Sequence, residues 1–160
     1  MNAFAEYSEG IADIVQTYSA SILRLAYAFL KNRADTEDIA QEVFIAYLKK
    51  RPRFDSEAKR KSWMLKVTAN KCRNVLKSSW NRRTEMPDNL PCMPEEDKKT
   101  LTALLALEEK YRIPMHLHYY EGYAISEIAA LLNTKPATVG TWLARGRSLL
   151  RTALEDGKDD

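Results

Sequence analysis

From Ile11 to Leu30 apolar residues return every three or four positions: Ile11, Ile14, Val15, Tyr18, Ile22, Leu25, Ala26 and Phe29. That spacing follows the 3.6-residue period of an α-helix, whereas a half-buried strand would alternate in twos. The same period returns in Ile39, Ala40, Val43, Phe44, Tyr47 and Leu48, in a segment that starts near Asp35. It returns again between Glu57 and Ser79, where Met64, Leu65, Thr68, Ala69, Cys72, Val75 and Leu76 share one broad face. The last 60 residues continue the pattern, with five glycines and six prolines in the whole chain of 160 residues to interrupt it. With 45% hydrophobic residues the chain can fill a core. The expected fold class is all-α, as two small helical domains.

Boundary residues support these segments. Ser8 is placed to cap the first helix, and Asn32 and Arg33 break its pattern. Asp35 followed by Asp38 resembles a capping box, and Glu37 and Asp38 suit the positive end of the second helix. Arg51-Pro52 ends that helix. In the C-terminal part, Leu101, Leu104, Leu105 and Glu108 form one segment, and Tyr111–Tyr120 a second with Pro114 near its start. Ile125–Leu132, a turn at Asn133 and Pro136–Ala153 make a helix-turn-helix pattern. Asn133 tolerates the left-handed conformation such a turn needs, and Ala129 is small where the two helices cross. Val139 and Leu143 point back to the core.

The net charge of +3 conceals a strong asymmetry. Lys49–Arg83 holds thirteen basic residues against Asp55 and Glu57, a net +11. Such a density favours a polyanionic partner. Residues 84–99 change character, with Pro87, Pro91 and Pro94 among Glu85, Asp88, Glu95, Glu96 and Asp97, and read as an extended acidic linker. On the third helix Lys59, Trp63, Lys66, Asn70, Arg73 and Lys77 share a face beside the apolar one. An aromatic ring on the rim of a basic stripe is what stacking on unpaired bases requires.

Other classes are disfavoured. Cys72 and Cys92 form no CxxC pair, and His116 and His118 are poorly spaced for one metal on a helix, so no metal and no cofactor are expected. No nucleophile–base pair, carboxylate cluster or phosphate-cradling glycine loop is evident, so the chain is not expected to be an enzyme. No apolar run approaches a membrane span, so no direct membrane insertion is expected. Glu6 and Glu9 stand where a secretory signal would be basic, and the expected location is the cytoplasm.

Two sets of residues, in order and at matching spacing, resemble the extracytoplasmic-function (ECF) sigma factors of bacterial RNA polymerase. The first is Asp35-Thr-Glu-Asp-Ile-Ala-Gln-Glu-Val-Phe44, Trp63-Met-Leu65 and Ala69-Asn70-Lys-Cys72. The second is Tyr119-Tyr-Glu-Gly-Tyr123, Glu127-Ile-Ala129, Thr138-Val139 and Leu143-Ala-Arg-Gly-Arg147. The resemblance implies a region 2-like domain over 8–83, a linker over 84–99 and a region 4-like helix-turn-helix domain over 100–155. It implies that Glu37, Asp38, Gln41 and Glu42 dock on core RNA polymerase. Phe54–Lys61 would be the loop, and Lys59, Arg60, Trp63, Lys66, Asn70, Lys71, Arg73 and Lys77 the residues, that capture the melted −10 element of promoter DNA. Lys135, Pro136, Thr138 and Thr141 would read the −35 element in the major groove, with Arg145 and Arg147 on phosphates.

The resemblance further implies an anti-sigma factor, often membrane-anchored, that masks these surfaces, and a stress or envelope-response regulon. The chain departs from the family at Gly140 and Trp142, where Lys and Arg are common, and at Asn74, Lys77 and Asn133. A glycine inside a helix costs about 1 kcal/mol, so a weaker or altered −35 contact is expected. The alternative is a stand-alone helix-turn-helix regulator, which leaves the +11 segment and the 35–44 match unexplained. A nucleic-acid enzyme and an RNA-binding adaptor are more distant rivals.

Overall fold

The computed structural model describes residues 3–78 and 98–156, with side chains described from Gly10 onward in the first span and from Lys99 in the second. Among these residues there are seven helices and no strand, so the fold is all-α. They are α1 (Ala3–Leu30), α2 (Arg33–Lys50), α3 (Glu57–Ser78), α4 (Lys98–Leu105), α5 (Glu109–Tyr119), α6 (Ile125–Leu132) and α7 (Pro136–Asp156). The acidic stretch 84–97, Cys92, Ser79 and Arg82-Arg83 lie outside the described residues.

Helices α1, α2 and α3 pack as one bundle, and α4 to α7 as another around α7. The expected apolar faces are buried except at the start of α1, where Val15 is exposed and Ile11 and Ile14 are half-buried because no neighbouring helix covers that end as fully. Ile22, Leu25, Phe29, Ile39, Val43, Met64, Leu65 and Cys72 are each almost fully enclosed, while Val75 and Leu76 pack at the edge. Cys72 is fully enclosed in this core. The halves are not independent: α1 packs on α5, α3 packs on α6, and one apolar core runs through both.

Several boundaries differ from expectation. Helix α1 begins at Ala3, so Ser8 lies inside it and does not cap it. Helix α2 is capped by Asn32, whose side chain accepts from the Asp35 N–H at 2.8 Å and donates to the Asp35 carboxylate at 2.7 Å. The reciprocal pair thus starts three residues earlier than the Asp35–Asp38 pair expected from the sequence. Arg51 closes α2 in the left-handed conformation (φ 44°). Glu108 is the residue before α5 rather than the end of the preceding segment. Pro114 is the sixth residue of α5, beyond the first turn, so the Lys110 carbonyl loses its helical donor.

The helix-turn-helix forms where expected. Gly122 turns the chain into α6 with φ +73°, which needs the freedom of glycine. Glu127 reaches back to accept from the Ala124 N–H at 3.0 Å, half of a capping box. Asn133 is left-handed (φ 55°, ψ 52°), and Val139 and Leu143 are buried on the inner face of α7.

Candidate nucleic-acid interface

On α2, Glu37, Asp38, Gln41 and Glu42 form one exposed stripe, opposite the buried Thr36, Ile39, Ala40 and Val43. Glu37 pairs with Arg33 at 2.9 Å and Glu42 lies 3.9 Å from the half-buried Lys71, and both carboxylates are exposed. Such pairs are worth under about 1 kcal/mol, so a partner displaces them readily. Ile45, one turn beyond Gln41, is 48% exposed and sets an apolar spot in the acidic stripe. The sequence reading missed it, although its position off the buried apolar face was the available signal.

The stripe along α3 holds Lys59, Trp63, Lys66, Asn70, Arg73 and Lys77 at alternating spacings of three and four. Lys59, Lys66, Asn70 and Lys77 are exposed. Lys59 pairs with Asp55 at 2.8 Å and Arg60 with Glu57 at 2.6 Å. Tyr18 donates its hydroxyl to Glu57, which ties α1 to the start of α3. Burial, reinforced by that hydrogen bond, pushes the Tyr18 hydroxyl up to about 12. Trp63 is half-buried, 6.0 Å from both the Tyr47 and Phe54 rings. It therefore has two aromatic packing partners and keeps part of its surface accessible. Lys71 is turned away from the stripe toward Glu42. Arg73 is half-buried and donates to the Leu132 carbonyl at 3.2 Å, so its guanidinium faces the other half of the protein.

Lys135 precedes α7 and Pro136 opens it, while Thr138, Thr141 and Arg145 share one face of its first turns; all are exposed but for the half-buried Thr138. The Thr141 hydroxyl donates to the Ala137 carbonyl at 3.1 Å. Arg147 stands elsewhere, lining a groove of about 600 Å³ with Leu104, Met115, Tyr119 and Leu150. Trp142 is half-buried and lines a cleft of about 220 Å³ with Phe29, Arg73, Ile113 and Leu132, between the two halves. A methyl group at Gly140 would meet nothing within 4 Å.

The polar contacts between the halves were not anticipated from the sequence. The Glu121 side chain is 1% exposed; Arg24 of α1 lies 3.1 Å from it and Lys61 of α3 3.0 Å. The Lys61 ammonium also sits 5.8 Å from the Tyr123 ring centre. Arg112 of α5 donates to the Ala28 and Phe29 carbonyls, at 2.5 and 3.5 Å, at the negative end of α1. Burial holds the Arg112 guanidinium below its usual value, and burial followed by the charge of Arg112 does the same to Lys31. The buried His116 ring lies 3.9 Å from Glu121 and stacks on Tyr120 at 5.3 Å. Among the described residues no cluster of three or more His, Cys, Asp or Glu could hold a metal ion. None of the described helices is long and apolar enough to cross a membrane.

Comparison with known proteins decides the family. Residues 14–82 match Sigma-70 region 2 and residues 97–150 match Sigma-70 region 4. The chain belongs to the ECF sigma factors. This sigma factor is 29% identical to the ECF RNA polymerase sigma factor SigW of Bacillus subtilis, over 92% of this chain and 90% of that protein. It is 24% identical to SigX of the same organism, over 89% of this chain and 82% of SigX. Its fold is similar to that of the sigma factor RpoE in complex with the anti-sigma factor NepR from Bartonella quintana. There the TM-score is 0.76 at 14% identity, over 92% of this chain and 98% of that one. It is also similar to CnrH in complex with the cytosolic domain of CnrY, with TM-score 0.70 at 21% identity, over 93% and 90% of the two chains. The family is not enzymatic, and its members direct RNA polymerase to promoters.

Proposed function

We propose that this sigma factor binds core RNA polymerase through the α2 stripe, opens the promoter with α3 and reads the −35 element with α7. The observation that carries the assignment is the exposure of three separate surfaces of different chemistry. An acidic stripe with Ile45 at its end suits a protein partner, a basic stripe edged by Trp63 suits melted DNA, and α7 offers a helix N-terminus for the major groove. Lys66, Asn70 and Lys77 would meet the −10 strand, with Trp63 stacking through the accessible part of its ring. With its hydroxyl turned to the backbone, Thr141 would present its methyl to a base edge, and Arg145 would hold a phosphate. Arg147 is less well placed for that role than Arg145, since it lines the groove beside α4 and α5.

A stress or envelope-response regulon and control by an anti-sigma factor complete the proposal. The likeness to a sigma factor solved in complex with an anti-sigma factor supports the second part. The test is transcription in vitro with purified core polymerase on a pool of genomic promoters, with and without the protein. New start sites that depend on the protein are expected, and their upstream sequences would supply both elements. Tight promoter binding by the protein alone, without new starts, would favour the stand-alone regulator.

A further inference from the structure

We propose that Tyr18, a buried residue of α1 outside the basic stripe, is a positioning residue for capture of the −10 strand, acting through Glu57 and Arg60 on Phe54. The inference rests on the assignment of α3 and the loop before it to the −10 element. Residues 52–56 of that loop join α2 to α3 without regular structure. The nearest backbone hydrogen bonds lie at its ends, from the Arg51 N–H to the Tyr47 carbonyl at 2.9 Å and from the Arg60 N–H to the Ser56 carbonyl at 3.2 Å. Between them stands Phe54, half-buried, with its ring 6.0 Å from the Trp63 ring and 6.0 Å from the Arg60 guanidinium. Two side chains of α3 thus hold the aromatic ring of the loop.

Arg60 is fixed in turn by Glu57, whose Oε1 it meets at 2.6 Å. The Glu57 side chain is 71% exposed, and an exposed pair of two long side chains is weak and loosely defined by itself. The other oxygen, Oε2, accepts the hydroxyl of Tyr18, 39 positions away in sequence. Tyr18 is packed in the core of the first bundle, and its ring turns about only two side-chain bonds, so its hydroxyl is a fixed point on α1. Burial, then the hydrogen bond to Glu57, raises the Tyr18 pKa to about 12, so the hydroxyl stays a donor at neutral pH. A hydrogen bond to a carboxylate is stronger than one between neutral groups, which suits it to confine an exposed side chain. The contacts therefore run from the core to the loop: Tyr18 places Glu57, Glu57 places Arg60, and Arg60 with Trp63 places Phe54. They need hold only until the strand arrives. A loop already shaped loses less binding energy to ordering, and Arg60 can then exchange Glu57 for phosphate.

The experiment compares the full chain with Tyr18→Phe, Glu57→Ala and the double variant, each assembled with core polymerase on a promoter that the transcription assay identifies. Tyr18→Phe removes one oxygen and keeps the ring in the core. Glu57 is exposed, so Glu57→Ala keeps the test readable if Tyr18→Phe folds poorly. Opening is followed by permanganate reactivity of the −10 thymines, and affinity for core polymerase by competition. Each single variant is expected to open the promoter roughly fivefold more slowly, about the worth of one hydrogen bond, with unchanged affinity for core polymerase. The double variant is expected to be about fivefold slower as well, because both changes cut the same chain of contacts, whereas independent losses would multiply to about twenty-fivefold. Opening at the wild-type rate in Tyr18→Phe, multiplied losses, or an equal loss of core binding would overturn the positioning role. A readout without DNA stands beside it: fluorotryptophan labelling, with the Trp63 signal assigned by its loss in Trp63→Phe. In Tyr18→Phe that signal is expected to shift or broaden as Phe54 loosens beside it, and an unchanged signal would overturn the proposal. If the wild type opens no promoter, the −10 assignment fails by itself, and the fluorine signal still reports on the contacts from Tyr18 to Phe54.

Discussion

His116 gives the protein a calculable acid sensitivity. Its ring is fully buried, and neither nitrogen has a hydrogen-bond partner. Burial is the main reason its pKa is lowered from 6.5 to about 4; the nearby Glu121 opposes the shift and Arg24 adds to it. Lys61 is the other cation at the site, across Glu121. The folded state therefore keeps the ring neutral, while the unfolded chain takes up a proton near pH 6.5. Between these values the unfolded state binds more protons, so stability falls as pH drops from about 6.5 to about 4. Integrating one site over that window costs about 2 kcal/mol between pH 7.5 and pH 5, and about 3 kcal/mol by pH 4. His116→Leu keeps an apolar side chain of similar reach and removes the titration. The assay is urea unfolding of both proteins at pH 7.5, 6 and 5. The wild-type minus variant difference is expected to change by about 2 kcal/mol across the series, with the variant at least as stable at pH 7.5. Parallel pH profiles would show that His116 protonates in place, and the argument from its burial would be wrong.

Two glycines of α7 should respond in opposite directions. Gly140→Ala, with nothing within 4 Å of the new methyl, should stabilise by up to about 1 kcal/mol and raise the melting temperature. Gly146→Ala, whose Cβ would lie 2.4 Å from the Met115 sulfur, should destabilise by about 1–3 kcal/mol in the same melt. Arg145→Ala should weaken holoenzyme binding nearly equally across promoter sequences and lower the salt slope by about 1, measured by titration at several salt concentrations. Trp63→Ala should impair promoter opening, read by permanganate footprinting, more than it impairs binding to core polymerase. Equal loss of both would mean that its contacts with Tyr47 and Phe54 are its whole role.

Much of this architecture is legible in the sequence because most helices have one apolar face. The buried residues of α2 and α3 are those that helical spacing selects, and the helix-turn-helix is marked by Asn133 and Pro136. Helix α5 is the exception. Seven consecutive residues, Tyr111–Leu117, are buried, because α5 is enclosed by α4, α6 and α7 on one side and α1 on the other. A helix buried all round carries no amphipathic signal, so nothing in its periodicity reveals that it contacts two layers. Arg112 and Glu121 were illegible for a related reason. Each is a lone charge whose partners in the other half are 60 to 97 positions away, and a lone charge reads as solvated surface. Trp142 looked like a defect in a DNA-reading helix. Its position beside Phe29 and Arg73 shows what a ring contributes there, which is to fill the junction between the halves.

The basic segment shows how far a charge count stands from a binding surface. Of its cations, Lys59, Arg60 and Lys71 have acidic neighbours with exposed side chains, Lys61 is tied to a buried one, and Arg73 is held by a carbonyl. Lys66 and Lys77 stand exposed on the stripe. These engagements are not equivalent in energy. A phosphate competes easily with exposed Asp55 or Glu57, whose pairs are worth under about 1 kcal/mol. It cannot take Lys61 from Glu121 in the same way, because the carboxylate left behind would be buried with part of its charge uncompensated. Release of Lys61 must therefore coincide with rehydration of Glu121. The charges on α3 therefore differ in readiness: Lys66 and Lys77 would meet an approaching strand first, Lys59 and Arg60 would follow by exchange, and Lys61 and Arg73 are held within the protein by Glu121 and the Leu132 carbonyl.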